Sequence, residues 1–198
     1  IDNVKKEATL HDIEVKVSDA GNDDAKQIVD IIESLEESPD LLIINSTNSA
    51  TIVPALDQAM AAGVPVISVD RYLDTNKVLT NITSDNYQGG QLAADFIVEE
   101  LGKKGNLLEL EGIPGTTAAH DRGAGFNERV QSACDIKVVS REVGWFDSER
   151  AQSVVKHLLQ EGMKVDGVFA HNDSMALGCI NAFVEMGVTL PGVIVGFD

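Results

Sequence analysis

Short apolar runs and amphipathic segments alternate along this chain of 198 residues. The run at 64–69 consists mostly of β-branched residues and follows Gly63, which is typical of a strand that is buried on both faces. Strands are predicted at 13–17, 41–44, 64–69, 78–83, 107–110, 136–140, 165–170 and 193–195. Most of the segments between them repeat apolar residues at intervals of three and four, the pattern of a helix with one buried face. The chain therefore predicts a layered α/β fold with parallel sheets flanked by helices.

Residues at the ends of the helical segments predict where each helix begins and where it stops. Residues 1–10 have helical spacing from the start, as though the chain enters part-way through a helix. Asn22 is the expected N-cap of the second helix, which Pro39 stops. Further helices are predicted at 50–61, 87–101, 117–132 and 173–186, with another that begins after Asp147 or Ser148. The expected apolar face of the 87–101 helix comprises Leu92, Phe96, Ile97 and Leu101.

The strand–helix unit occurs in two successive series. A break near Ser84 and Asp85 separates them. The two series share negligible sequence identity, so the repeat is one of architecture only. A length of 198 residues suits one large domain or two small ones with cores of their own.

Composition argues against two classes of partner. The chain carries a formal charge of −17 at pH 7 and has a pI near 4.4, whereas binding to nucleic acid requires a basic surface. An anionic membrane surface would repel the chain for the same reason. Because of this negative charge, we expect no nucleic-acid partner. No apolar run is long enough to span a bilayer, and no signal peptide opens the sequence, although a mature exported protein would look the same.

Polar and aromatic side chains follow several predicted strands directly. These residues are Asn45, Asp70, Arg71, Arg122 in the 111–122 loop, Trp145, Phe146, Asn172, Asp173 and Asp198. In open α/β sheets, ligands bind beyond the carboxyl ends of the strands. Hydrogen-bond acceptors, a guanidinium fork and an aromatic face together suit a polyol. Taken singly, Asn45, Asn172 and Asp173 are better explained as turn formers or helix caps, and Asp70–Arg71 as a solvated ion pair.

The sequence has few motifs that are typical of catalysis or of metal binding. Neither a Gly-x-Ser-x-Gly motif nor a phosphate-loop lysine pattern occurs, and the 112–115 loop is better explained as a tight turn than as an anion site. The four histidines have no ligand spacing, and His171 either lines a cleft or lies on the surface. Cys134 and Cys179 match no zinc or redox motif. They are expected to be buried thiols, with a disulfide as the open alternative.

Five segments resemble the ribose-binding type of periplasmic sugar-binding proteins. They are Val69-Asp-Arg71, Ser84-Asp-Asn-Tyr-Gln-Gly-Gly90, Glu111-Gly-Ile-Pro-Gly-Thr-Thr-Ala-Ala-His-Asp-Arg122, Phe169-Ala-His-Asn-Asp-Ser-Met-Ala-Leu-Gly178 and Val195-Gly-Phe-Asp198. Each motif is weak alone, but the five occur in the right order along essentially the whole chain. The resemblance implies two Rossmann-like domains of the periplasmic binding protein type I fold, 1–84 and 85–198, joined by three hinge crossings.

The resemblance also implies a function and a site. It implies a monomeric binding protein without catalysis or cofactor, which closes on ribose or a related pentose or hexose and delivers this monosaccharide to the permease of an ABC importer. The implied location is the periplasm or the cell exterior, with a lipid anchor if the source is Gram-positive. Phe146 would stack on the sugar ring. Carried over residue by residue, the sugar-binding residues are Asn45, Asp70, Arg71, Arg122, Phe146, Asn172 and Asp198.

The chain departs from the family pattern in several places. The family's first strand with its aromatic loop, and the stretch that follows the Gly-Phe-Asp motif, are missing here. A first domain without that strand would leave buried edges unpaired, so we expect a part of a longer or split protein. His171 and Tyr72 also differ from the expected pattern. These differences leave the sugar open between ribose, a hexose and a furanose sugar.

Two other functions compete with sugar transport. The effector-binding core of a lactose-repressor-type transcription regulator shares the implied fold and the Asp-Asn-x-x-Gly-Gly helix start, but no helix-turn-helix precedes residue 1. An α/β enzyme that uses Asp70 or Asp198 as a base ranks below both. Whether the surface docks a transporter, a chemoreceptor or both is left open by the sequence.

Overall fold

The computed structural model describes residues 2–73, 75–133 and 135–197. Within these ranges the helices are α1 (Asp2–Leu10), α2 (Asp24–Glu36), α3 (Val53–Ala61), α4 (Asn86–Glu100), α5 (Thr117–Gln131), α6 (Ser148–Gln160) and α7 (Asp173–Met186). The strands are β1 (Leu42–Ile44), β2 (Val66–Val69), β3 (Thr80–Ile82), β4 (Lys104–Glu111), β5 (Asp135–Val143), β6 (Gly167–Ala170) and β7 (Val193–Val195). From α2 onward, helices and strands alternate except between β2 and β3.

The strands form two separate parallel sheets. The first has the order β1-β2-β3 and the second the order β5-β4-β6-β7. In the second sheet β4 has β5 on one side and β6 on the other, so the chain reverses its direction of winding at the carboxyl end of β4. Such a switch point is where open α/β sheets bind ligands. The predicted α/β fold with parallel sheets and flanking helices is confirmed.

The second sheet is covered on both faces. Leu108 and Leu110 of β4 pack against the apolar side chains of α6 and α7, whereas Leu107 packs against those of α4 and α5. This alternation follows from the two-residue period of a strand, which sends successive side chains to opposite faces. Burial on both faces explains why β6 has no polar side chain and why Leu107, Leu108 and Leu110 of β4 are apolar.

The first sheet has its core on one face only within the described residues. Ile44 and Val66 pack there with Ile31 of α2 and Leu56 of α3. On the other face Ile43 and Ile82 are 52% and 60% exposed. A parallel sheet is normally covered on both faces, so this face is an unpartnered apolar surface of the described chain.

The predicted strand at 13–17 is wrong. The segment has no regular secondary structure and pairs with no strand of the described chain, and Ile13 and Val17 are 59% and 45% exposed. The amide of Ile13 donates instead to the carbonyl of Ala8, closing the end of α1. An alternating pattern predicts one buried face, but a strand forms only where a neighbouring backbone satisfies its hydrogen bonds.

The predicted apolar face of α4 is wrong in part. Ile97 is buried and Leu101 packs at the edge of the core, but Leu92 and Phe96 are 62% and 51% exposed. The buried face is built on Gly90 and small residues because α4 crosses α5 closely: a Cβ at position 90 would lie 2.1 Å from the carbonyl oxygen of Arg122. Bulky side chains are therefore turned away from this crossing.

The N-cap of α2 differs from the predicted one, whereas the burial of Cys179 agrees with the prediction. The N-cap of α2 is Asp23, whose side chain accepts from the amide of Lys26, and not Asn22. Asn22 occupies the turn before it with a positive φ of 63°, which Asn tolerates better than most residues. Cys179 is a buried free thiol, as expected, while Cys134 lies outside the described residues.

Candidate functional site

The carboxyl edges of the two sheets face each other. In the loops after β1 and β4, the amide of Ser49 donates to the carbonyl of Gly115 over 3.4 Å. Nearby, the Thr117 hydroxyl donates to the carbonyl of Tyr72, over 3.1 Å. The loops that follow strands of the first sheet therefore touch the loop that follows β4 in the second sheet. The predicted residues Asn45, Asp70 and Arg71 lie in the loops that follow strands of the first sheet.

Asn45 and Asp70 lie together on the side of the first sheet. The Asn45 amide nitrogen donates to the Asp70 carboxylate over 3.1 Å. Asp70 has a positive φ of 66°, and its backbone is held there by its amide donating to Ile82 and its carbonyl accepting from Thr83, over 2.8 and 2.5 Å. Asp tolerates this left-handed conformation better than most residues. The carboxylate is exposed and has free acceptor capacity for a polar ligand.

Arg71 is directed toward the protein backbone. Its guanidinium donates to the carbonyls of Ser46 and Thr47, over 2.5 and 3.2 Å. Burial lowers the pKa of Arg71, against the raising effects of the Asp70 and Asp24 carboxylates. In this arrangement Arg71 shapes the loop that carries Asn45, so its contacts are those of a residue that supports the site.

Arg122 lies on the side of the second sheet and is buried. Its Nε donates to the Asn86 side-chain oxygen over 2.8 Å, and its Nη1 donates to the carbonyls of His171 and Phe197. The guanidinium carbon lies 4.0 Å from the ring centroid of Phe197 and 5.7 Å from that of Phe146. Two aromatic rings therefore border one fixed cation, an arrangement with favourable cation–π geometry.

Phe146 stands on a turn after β5. Trp145 and Phe146 both have positive φ, 61° and 58°, and the Phe146 ring lies against Gly112 so closely that a Cβ there would be 2.1 Å from a ring carbon. Asn172 caps α7: its side-chain oxygen accepts from the amide of Met175, and its amide nitrogen donates to the carbonyl of Phe146. The helix-cap role that Asn172 has when considered singly is thus present in the structure, and this residue also fixes the Phe146 turn.

Phe197 and Asn86, both missed in the sequence analysis, also contact Arg122. Phe197 follows β7 after a single glycine, so its place at the end of a strand was a usable signal. Asn86 opens α4 and is buried; its residue type gives no sign of that contact. The site prediction at Asp198 lies outside the described residues.

The two sides of the junction are joined by hydrogen bonds. The Thr83 hydroxyl donates to the Asp70 carbonyl, the Asn86 amide nitrogen donates to the Thr83 hydroxyl over 3.3 Å, and Arg122 donates to Asn86. This path follows the crossover between β3 and α4. Three successive hydrogen bonds therefore connect the backbone of Asp70 to the side chain of Arg122.

Together these groups have the chemistry of a polyol site. Asp70 supplies acceptors, Asn45 and Arg122 supply donors, and Phe146 and Phe197 supply aromatic faces.

Among the described residues, no three His, Cys, Asp or Glu side chains cluster in a way that could hold a metal ion. In the part of the chain covered by the structure, no helix combines the length and the apolar character that crossing a membrane requires.

Comparison with known proteins finds relatives that are named as binding proteins. The chain is 39% identical over 195 residues to the ribose import binding protein RbsB of Bacillus subtilis, covering 98% of this chain and 63% of that protein. It thus spans just under two thirds of that relative. An ABC transporter solute binding protein from Bacillus halodurans with bound myo-inositol superposes with a TM-score of 0.94 at 27% identity, covering 100% of this chain and 69% of the other.

A third relative is the fructose-binding periplasmic domain of a hybrid two-component system. It superposes with a TM-score of 0.93 at 33% identity, covering 100% of this chain and 66% of that one. The family model described as "Periplasmic binding protein domain" matches residues 1–198, which is the whole chain. The chain therefore belongs to the periplasmic binding protein family.

Proposed function

We propose that this chain is the ligand-binding part of a protein that captures a monosaccharide between its two sheets and delivers it to an ABC importer, without catalysis. The observation that carries the proposal is the hydrogen-bonded path from Asp70 to Arg122. It links the backbone of Asp70 on one side of the junction to the guanidinium of Arg122 on the other, so that both residues can contact one small ligand with many hydroxyl groups. The import function named for the Bacillus subtilis relative supports the same assignment.

The proposed ligand contacts divide between two domains, 1–84 and 85–198. The first would contribute Asn45 and Asp70, with Arg71 contacting the sugar or bracing the loop beside it. The second would contribute Arg122 to hydroxyl groups and the Phe146 face to the C–H side of the ring. Asn172 and Asp198 complete the proposed set. Closure would follow from contacts that exist only when both sides touch the ligand.

The sugar and the partner belong to the proposal as well. The solved relatives bind myo-inositol and fructose, so the proposed ligand class is a monosaccharide or a cyclic polyol, with ribose as the first candidate. The proposed location is the periplasm or the outer cell surface, the proposed partner is a permease, and the proposed state is a monomer. The sugar-transport relatives favour this role over that of a transcription regulator.

A second candidate role is that of a sensor. The periplasmic domain of a hybrid two-component system is 33% identical to this chain and superposes on the whole of it. The same sugar site would then signal through an attached receptor. The neighbourhood and domain content of the gene separate the roles: permease and ATPase genes support import, and a fused kinase supports sensing.

Isothermal titration of the complete gene product tests the binding proposal. Ribose, allose, arabinose, fructose and myo-inositol would each be titrated, with sucrose as a disaccharide control. We expect saturable binding to at least one monosaccharide or cyclitol. Turnover of a bound sugar would refute the non-catalytic role, and absence of binding to any member of a wide panel would refute the ligand class.

A further inference from the structure

A buried acid–base pair lies directly behind the proposed site. Glu109 of β4 and His171, which follows β6, are 0% and 1% exposed, and His171 Nε2 lies 3.2 Å from Glu109 Oε1. Asn127 and Arg141 also donate to the Glu109 carboxylate, over 3.0 and 2.8 Å. A buried carboxylate is costly unless it is fully partnered. Glu109 therefore forms a rigid anchor for the His171 ring.

The second nitrogen of the ring fixes a loop. The amide of Gly112 donates to His171 Nδ1 over 3.2 Å. This bond requires a lone pair on Nδ1, so the proton of the neutral ring is on Nε2 and points to Glu109. The ring is held further by Phe169, at 5.1 Å between centroids, and by α5, where a Cβ at Gly123 would come within 3.3 Å of both partners. The imidazole thus has one orientation and one tautomer.

His171 contacts Gly112, which supports the Phe146 ring, and it also contacts Arg122. Phe146 and Arg122 are the two groups proposed to face the ligand. The Gly112 backbone that His171 holds is the surface on which the Phe146 ring lies. The carbonyl of His171 accepts a hydrogen bond from Arg122. His171 therefore contacts both the backbone beneath the stacking face and the guanidinium, and the spacing of these two groups decides which sugars present a ring face and hydroxyl groups in register.

We infer that His171, anchored by Glu109, is a positioning residue that fixes the placement of Phe146 relative to Arg122. The inference rests on the proposed function, because it gives these two groups a shared ligand. His171 does not touch the ligand itself. Its effect passes through Gly112 on one side and through its own carbonyl on the other.

Two substitutions separate the roles of the two ring nitrogens. His171→Asn places an amide oxygen near the Nδ1 position, so it keeps an acceptor for Gly112 but does not reach Glu109. His171→Gln places an amide nitrogen near the Nε2 position, so it keeps a donor to Glu109 but loses the acceptor for Gly112. Each variant loses one buried hydrogen bond, so a purely structural role predicts similar losses of thermal stability from both.

The readouts are hydrogen exchange of the Gly112 amide, measured by NMR without ligand, and sugar affinity, measured by titration. We expect His171→Gln to accelerate Gly112 exchange about tenfold and to weaken sugar binding about tenfold, the effect of one lost hydrogen bond. We expect His171→Asn to keep Gly112 protected and affinity within about threefold of the wild type. The ratio of affinities between two sugars should change in the Gln variant only.

Equal Gly112 exchange in the two variants, or equal sugar affinities despite different exchange, would overturn the inference. The exchange measurement needs no sugar, so it tests the positioning geometry even if the wild type binds none of the panel. In that case the proposed function fails while the exchange result still decides whether His171 holds Gly112. If the wild type binds and the variants do not differ, the positioning inference alone fails.

Discussion

Arg122 is a buried cation whose side chain contacts both polar groups and an aromatic ring. It has an amide oxygen at Nε, a carbonyl at Nη1 and the Phe197 ring at 4.0 Å. Such a group is held in place before any ligand arrives, which lowers the entropic cost of binding. The role of Arg122 can therefore be tested by removing it while following both binding and folding.

Replacement of Arg122 by Ala should weaken sugar binding at least about 100-fold, because a charged donor to ligand hydroxyl groups is lost, at about 1.5–3 kcal/mol per hydrogen bond. Titration calorimetry measures the change. Arg129→Ala is the matched control, since Arg129 lies on the same helix in an exposed ion pair with Asp95, and its affinity should equal that of the wild type. Wild-type affinity in Arg122→Ala would remove this residue from the site.

Replacement of Phe146 by Ala should weaken sugar binding by about tenfold to a hundredfold, because the stacking face is lost while the hydrogen-bonding groups remain. Phe96→Ala serves as the control: Phe96 is exposed on α4, and its truncation removes an aromatic ring of the same size. The same titrations compare the two. An effect of Phe96→Ala as large as that of Phe146→Ala would contradict the stacking role.

The thiol of Cys179 should be unreactive in the folded protein. Burial raises the pKa of this thiol to about 12, so the thiolate is scarce at pH 8 and the sulfur is also inaccessible. In a Cys134→Ser variant, a disulfide reagent at pH 8 should label the native chain slowly and the urea-unfolded chain at once. Fast labelling of the native variant would show that α7 does not pack as described.

At the residue scale, the sequence predicts positions better than it predicts roles. Asn45, Asp70 and Phe146 were predicted as site residues because each follows a strand, and the structure places each of them after a strand. Asn172 looked like a helix cap when taken alone and is one. Glu109 could not be predicted as a buried anchor, because its partners Asn127, Arg141 and His171 come from three distant segments. No local pattern signals that a carboxylate inside a strand will be satisfied by tertiary contacts.

At the element scale, close helix crossings support the walls of the site. Between α4 and α5, Gly90 faces the carbonyl of Arg122, and a Cβ at Gly125 would lie 2.0 Å from the carbonyl of Tyr87. Between α6 and α7, a Cβ at Gly178 would lie 2.1 Å from the carbonyl of Ser148. Because the Gly90 contact is with the backbone of Arg122 itself, the α4–α5 spacing also sets the height of the guanidinium.

Gly90→Ala should lower the free energy of unfolding by about 1–3 kcal/mol, because overpacking against backbone outweighs the higher helix propensity of Ala. Thermal unfolding followed by circular dichroism measures the effect, at about 2–4 °C per kcal/mol for a protein of this size. Leu92→Ala, at an exposed position of the same helix, should change stability by less than about 0.5 kcal/mol. The reverse order would mean that the apolar face predicted from the sequence is the buried one.

The elements themselves were largely predictable, and the exceptions have physical causes. Hydrophobic periodicity located the helices and all the strands that have a paired neighbour. It failed at 13–17, where alternation has no partner strand in the described chain, and on α4, where glycine and alanine form the packed face. A hydrophobicity pattern weighs large apolar residues most, whereas a close crossing selects the smallest side chains.

At the scale of the whole molecule, the proposed site depends on two sheets whose carboxyl edges meet. The contacts of Ser49 with Gly115 and of Thr117 with Tyr72 join loops from the two sheets. The crossover at 83–86 carries the hydrogen bonds between Asp70 and Arg122. A ligand that bridges the two sides would stabilise this arrangement, since it binds the folded and joined state and not the unfolded chain.

The most direct test of this account is the melting temperature of the complete gene product with and without monosaccharides at increasing concentration. We predict that at least one pentose, hexose or cyclitol raises the melting temperature progressively, and that Arg122→Ala abolishes the rise. A melting temperature that is unchanged by every sugar up to millimolar concentration, in a protein that unfolds cooperatively, would contradict the claim that the junction of the two sheets is a sugar site.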